Sequence, residues 1–353
     1  MMRRPTPPRR GNLRRLRAAS CLVVAAVLAQ GCVETPPRPP TIPAPAIQRE
    51  AGPLLGRDDD FAVVVARAGD DFATLAERYV GDRGKGWWIA EFNGIDAIRP
   101  GQTVVIPLRL PNRIGVHWTA FQTIPILCYH RFGSRSSQLT VAQAAFEAQM
   151  EYLARNGYHV VPLARLTGFL DGKEALPRKT VVVTIDDGYR STYDIAYPIL
   201  KKHGFPATVF LYSDFVGATD ALTWSQMKEM ADSGLIDIQP HSKSHANLAL
   251  RLPEETDAKY RERVQREVDA PISVIQERLG IHSTVYAFPY GDVTDTVLDQ
   301  LKRQGVRLAV TVTPGGNGFF APPQILRRSM VFGNDSLDVF KSKLVTSMPV
   351  TPR

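Results

Sequence analysis

From about residue 124 onward, short β-branched runs alternate with helical repeats, and this alternation narrows the folds open to the chain. The runs at 180–185, 207–212, 236–239, 285–288 and 308–312 are rich in Val, Ile and Thr and read as strands. Between them lie helical patterns. Phe146, Met150 and Leu153 share one face, with Gly157 as a stop. A second pattern covers 224–233. A third covers 256–279, where Pro271 is expected to break or kink the helix. Strands and helices in alternation over this length require parallel strands covered by helices. The fold class is therefore α/β, as a parallel barrel or a doubly wound sheet.

In such folds, reactive groups collect at the C-terminal ends of the strands. Three strands end in chemistry-bearing residues. The first runs into Thr184-Ile185-Asp186-Asp187-Gly188. Adjacent carboxylates at a strand end are costly unless a cation compensates them, although Asp-Asp-Gly alone also suits a solvated turn. The second runs into His241-Ser242-Lys243-Ser244-His245. Two histidines four residues apart can face one side and chelate one ion. Imidazole with carboxylate suits Zn²⁺, with Fe, Co or Ni as other options. The third runs into Phe288-Pro289-Tyr290-Gly291. Cys128 sits in an apolar run and reads as a buried structural thiol.

Taken together and in this order, the three motifs resemble those of the polysaccharide deacetylases with a NodB-type domain, over residues 121–345. The resemblance implies a distorted (β/α) barrel with one metal ion. It implies Asp187, His241 and His245 as ligands, Asp186 as general base, and the backbone N–H of Tyr290 as an oxyanion donor. The chain departs from the common pattern twice. Ala287 stands where many members carry an Arg that orients the base, and the late segment 326–330 lacks the usual His. Tyr129-His130, after the first strand, resembles the branch of poly-N-acetylglucosamine deacetylases, which implies His130 as general acid. Arg328 is the candidate to replace the missing Arg. The implied activity is removal of N-acetyl groups from an N-acetylglucosamine polysaccharide, either an exopolysaccharide or peptidoglycan. Two alternatives stand beside it: an O-acetyl esterase on the same glycans, and a catalytically impaired peptidoglycan-binding lipoprotein.

Residues 61–108 read as strand, helix, helix, strand, with Gly69-Asp70 near the start and Pro100-Gly101-Gln102 before the last strand. This βααβ unit resembles a LysM module, which implies binding to N-acetylglucosamine polymers such as peptidoglycan or chitin. Trp87 and Trp88 are expected in its core rather than on a sugar platform. Residues 32–60 read as a proline-rich tether.

The net charge of +8 does not indicate a nucleic-acid partner. Seven arginines lie within the first 17 residues, before any acid, and without them 36 bases face 35 acids. The apolar run at 18–29 is shorter than the ~20 residues a bilayer span needs. Residues 1–31 therefore read as a signal peptide. Leu28-Ala29-Gln30-Gly31-Cys32 resembles a lipobox, which implies a lipid on Cys32 and a membrane anchor. Val33 after the cysteine implies the periplasmic face of the outer membrane by resemblance to lipoprotein sorting rules.

Overall fold

The computed structural model describes residues 53–110 and 112–350. The expected signal peptide 1–31, the lipidated Cys32 and most of the tether lie outside the described residues. Among those described, no helix is long and apolar enough to cross a membrane.

The first part comprises β1 (Leu54–Arg57), β2 (Phe61–Val65), α1 (Phe72–Val80), α2 (Gly86–Asn93) and β3 (Thr103–Pro107). Strand β2 pairs antiparallel with both β1 and β3. Its alternation buries Ala62 and Val64 against Leu75, Ala76, Ile89, Val104 and Ile106. Asp71 caps α1 through a reciprocal bond pair with Thr74. Two expectations fail here. Residues 54–57, read as tether, form an edge strand. Trp87 and Trp88 are half-buried and lie outside the core cluster, where only Ile89 of α2 sits. Consecutive helical residues diverge in direction, so one short helix cannot turn Trp87, Trp88 and Ile89 onto the same face.

The rest of the chain runs β4 (Ala120–Gln122), β5 (Ile124–Tyr129), β6 (Arg131–Gly133), β7 (Thr140–Ala142), α3 (Gln143–Arg155), β8 (His159–Val160), α4 (Leu166–Leu170), β9 (Thr180–Ile185), α5 (Tyr197–His203) and β10 (Ala207–Leu211). It continues with α6 (Trp224–Asp232), β11 (Ile236–Pro240), α7 (Asp257–Leu279), β12 (Val285–Ala287), α8 (Asp295–Arg303), β13 (Leu308–Val310), β14 (Gly316–Asn317), β15 (Ser329–Met330), α9 (Leu337–Ser342) and β16 (Ser347–Pro349). Pro271 does not break α7, which continues across it as one helix. Its face of Tyr260, Val264, Val268, Pro271 and Ile275 is buried, so packing holds the helix across the lost backbone donor.

Strands β11, β10, β9 and β5 pair in that order, all parallel, and β15 continues parallel on β5. Strand β12 pairs parallel with β13, and Val310 bridges to Leu326 just before β15, closing the circle. Between β11 and β12 a side chain takes the place of a ladder. The Gln239 Oε1 accepts the backbone N–H groups of Thr284 and Val285, each at 3.2 Å. The result is the distorted (β/α) barrel implied by the family resemblance, one of the two folds the alternation left open.

Two apolar layers sort by strand parity. Ile124, Ile126, Val182, Phe210, Val285, Ala287, Leu308, Val310 and Leu326 form one cluster. Leu127, Tyr129, Val181, Val183, Ile185, Val209 and Leu211 join a second with Phe146, Met150 and Leu153 of α3. The first set lines the barrel and the second meets the helices. Continued by two, the inner set predicts that Cys128, Thr184, Asp186, His241 and Arg328 also point inward.

Candidate active site

The inward set meets at the C-terminal mouth of the barrel. Asp186 follows the last residue of β9 and is 1% exposed, and Arg328 stands beside it at 0%. Arg328 Nη1 and Nη2 donate to the two oxygens of Asp186, at 2.7 Å each. Its Nη1 also donates to Thr184 Oγ1 at 3.2 Å and its Nε to the Thr311 carbonyl at 2.7 Å. This two-pronged clamp fixes the carboxylate plane and rotamer. Burial by itself would push the Asp186 carboxyl up. The Arg328 guanidinium overrides it, with His241 and His130 adding to the effect, and the group is held well below the usual carboxylate range. Cys128 Sγ lies 3.4 Å from Asp186 Oδ2, and burial pushes this thiol well above its ordinary range, so it stays protonated.

Strict alternation would turn Asp187 outward, away from its neighbour. Its backbone instead adopts φ +73°, an uncommon conformation for a residue with a side chain. Ser242, His245 and Tyr290 also have positive φ, so four of the five such non-glycine residues described lie in the three motifs. Gly291 completes the last turn. Its φ is +78°, and a Cβ there would meet the Val312 backbone nitrogen at 2.7 Å.

These turns bring Asp187, His241 and His245 together, with their ligand atoms all within 4.8 Å of one another. His245 Nε2 lies 3.3 Å and His241 Nε2 3.7 Å from Asp187 Oδ1. His241 Nδ1 is 2.8 Å from the Ala287 carbonyl. It must donate there, which leaves the Nε2 lone pair facing Asp187. Burial pushes the His241 imidazole down, toward the neutral form a ligand requires. Asp187 Oδ1 is buried without a hydrogen-bond partner. An orphaned carboxylate oxygen facing two imidazole nitrogens fits a divalent cation.

His130 follows β5 and is half-buried. It shares a second cluster with Cys128 and Asp186, again within 4.8 Å. The Tyr290 ring packs edge-on against His245 at 4.8 Å between centroids, and its side chain is largely exposed at the mouth.

One supporting residue escapes motif reading. Glu267 of α7 accepts from the backbone N–H of Ser244 at 2.9 Å and its hydroxyl at 2.8 Å. Ser242 Oγ accepts from the His245 N–H at 2.8 Å. Together they hold the turn that carries both histidines. The signal was present in the sequence: Glu267 is an acid on the buried stripe of an amphipathic helix.

Comparison with known proteins agrees with this geometry. The family model described as polysaccharide deacetylase matches residues 173–309. YxkH of Bacillus subtilis (strain 168), whose name places it among the polysaccharide deacetylases, is 33% identical over 192 residues, covering 54% of this chain and 65% of that protein. The poly-beta-1,6-N-acetyl-D-glucosamine N-deacetylase of Escherichia coli (strain K12) is 26% identical over 251 residues, covering 61% of this chain and 37% of that one. This chain thus spans less than two thirds of either relative. The solved structure of IcaB from Ammonifex degensii superposes with a TM-score of 0.57 at 29% identity, covering 63% of this chain and 97% of that one. The barrel, its motifs and these likenesses converge, and the chain carries a polysaccharide deacetylase domain of the NodB type.

Proposed function

We propose that this protein hydrolyses N-acetyl groups from an N-acetylglucosamine polysaccharide of the cell envelope. One observation carries the reading: the ion-shaped triad of Asp187, His241 and His245 lies beside the Arg-clamped carboxylate of Asp186. A divalent ion, with Zn²⁺ the best match to the donor set, would supply Lewis acidity to water and to the acetamide carbonyl.

The chain's own residues then have separate roles. Asp186, kept ionised by Arg328, takes the proton of the attacking water. The backbone N–H of Tyr290 donates to the oxyanion of the tetrahedral intermediate. His130 returns a proton to the departing amine, so that the C–N bond breaks to acetate and a free glucosamine nitrogen. Arg328 removes the main objection to activity, because it supplies at Asp186 the guanidinium that Ala287 cannot.

The βααβ unit is read as a LysM-like glycan binder, and Cys32 as a lipid anchor at the periplasmic face of the outer membrane. Both place the enzyme beside envelope polymers. Poly-β-1,6-N-acetylglucosamine is favoured by the likeness to the E. coli deacetylase, and peptidoglycan by the βααβ unit.

Acetate release from metal-loaded protein tests the proposal on β-1,6- and β-1,4-linked N-acetylglucosamine oligomers and on an O-acetylated glycan. Release from an N-acetylated oligomer, abolished in Asp186→Asn, is expected. Release from the O-acetylated glycan alone would make the protein an esterase. No release from any substrate would leave a binding protein.

A further inference from the structure

A long groove lies at the opposite end of the barrel from the site. Its central cavity is ≈ 390 Å³ and is lined by Trp87, Trp88, Glu91, His117 and Arg178. That is within the range of ~300–1,000 Å³ typical of ligand sites. A second cavity shares Trp87 and Trp88 with it and extends past Lys85 and Arg113. A third shares His117 and Arg178 and extends past Trp118 and Lys179. The first two lie between the βααβ unit and the barrel, and the third continues from them along the barrel's edge, so the three form one seam. Glu91 closes the seam by accepting the Arg178 backbone N–H at 2.7 Å. Arg178 and Lys179 directly precede β9, whereas Asp186 directly follows it. A six-residue strand, roughly 20 Å long, separates groove from chemistry.

Three of the chain's four tryptophans border this groove. Trp87 and Trp88 meet at 82°, so they present two differently oriented faces. Trp118 is 96% exposed. It stands at the tip of a tight turn, where His117 and Ala120 exchange backbone bonds at 2.7 and 3.3 Å. Asn112 braces that turn by bonding both backbone groups of Val116, and Val350 donates to the Thr119 carbonyl. The backbone of this turn is braced, while the indole itself is left uncovered, so its apolar face is available to a ligand along the groove.

We propose that this seam is a second glycan-binding site, which grips an N-acetylated strand of the substrate polymer remote from the catalytic mouth. Sugar rings offer apolar C–H faces that suit the indoles, and hydroxyl and acetamide edges that suit Glu91, His117 and Arg178. An open groove admits a chain passing through. Basic side chains outnumber acidic ones along it. The deacetylated product carries ammonium groups, which such a groove repels. The seam therefore selects unreacted polymer and raises its local concentration near the mouth.

The proposal rests on the N-acetylated glycan reading above, and the test keeps the two apart. Binding of the N-acetylglucosamine hexamer and its fully deacetylated counterpart is measured by calorimetry on the full chain, with tryptophan fluorescence as a second readout. The acetylated hexamer is expected to bind more tightly and to perturb the fluorescence. Trp118→Ala and Trp87→Ala should each weaken it by about tenfold. Trp118 is too exposed for its loss to unfold the protein, so that variant decides the matter even if Trp87→Ala misfolds. Undiminished binding in Trp118→Ala, equal binding of the deacetylated hexamer, or binding of anionic vesicles in place of the glycan would overturn the seam. Failure of acetate release with Trp118-dependent binding intact would overturn the catalytic reading and leave the seam standing.

Discussion

The two ends of the barrel are built on opposite principles. At the C-terminal mouth the backbone is strained and the charges are buried. Asp187, Ser242, His245 and Tyr290 all hold positive φ, and Asp186 and Arg328 are sealed from solvent. Each such residue costs on the order of 1–3 kcal/mol, which the surrounding barrel must offset. At the N-terminal seam the aromatic side chains are partly exposed, and its ion pairs, such as Glu91 with Arg178, reach solvent. Chemistry requires groups fixed in place before the substrate arrives, and strain is the residue of that requirement. Holding a polymer requires only surface. Substitutions at the two ends should accordingly differ in kind as well as in size.

The largest effects belong to the ion cradle. Dialysis against a chelator should abolish acetate release, and adding back Zn²⁺ should restore it. His241→Ala should lose bound metal, read by elemental analysis, together with all turnover. If chelated protein keeps full activity, the cradle is not the working centre.

Next come the groups proposed to handle the proton. His130→Ala should lower kcat by roughly 10²–10⁴-fold while leaving metal content intact. A smaller loss that is uniform in kcat/KM and thermal stability would instead mark His130 as a packing residue.

Arg328 should show two effects. In Arg328→Met, Asp186 is left buried without its counter-charge, and stability should fall by about 3–5 kcal/mol in a denaturant titration. The pH profile gives the second sign. With Arg328 present, the carboxyl lies well below its ordinary range, so the acid limb of kcat/KM in the native enzyme does not belong to Asp186. Without Arg328, burial favours the neutral acid and raises its pKa. Activity that needs the carboxylate is then lost at higher pH, and the acid limb moves upward. An unmoved limb would mean that Arg328 serves packing rather than the base.

The smallest effect belongs to the seam. Trp118→Ala should change affinity for long glycans by about tenfold and leave bound metal unaltered. A loss of metal in that variant would erase the distinction between the two ends.

Much of the mouth was readable in the sequence because it follows strand parity and fixed spacing. The alternation of β9 turns Asp186 inward, and the run before His241 does the same. What parity could not supply was Asp187, whose inward turn depends on a φ of +73° that no period encodes. Arg328 lies 142 residues from its partner, so only barrel closure brings them together. It could be suggested by the vacancy at Ala287 but not placed. Glu267 went unread because it touches the motif from a helix and carries no motif of its own. Trp87 and Trp88 were misread as core for a different reason. An apolar pair such as Trp87-Trp88 states how much surface must be covered and not which neighbour covers it. The antiparallel edge strand Leu54–Arg57 was likewise hidden, since Leu-Leu-Gly-Arg sets its two apolar residues side by side and shows no period-two alternation.

Asp186 and Asp187 provide the most direct test, because they are neighbours in sequence and opposites in surroundings. Bound metal and acetate release should be measured together in Asp186→Asn and Asp187→Asn. The structure predicts that Asp186→Asn keeps its metal and loses turnover, while Asp187→Asn loses both. Turnover surviving in Asp186→Asn, or metal and turnover both surviving in Asp187→Asn, would contradict the division of labour between base and ligand.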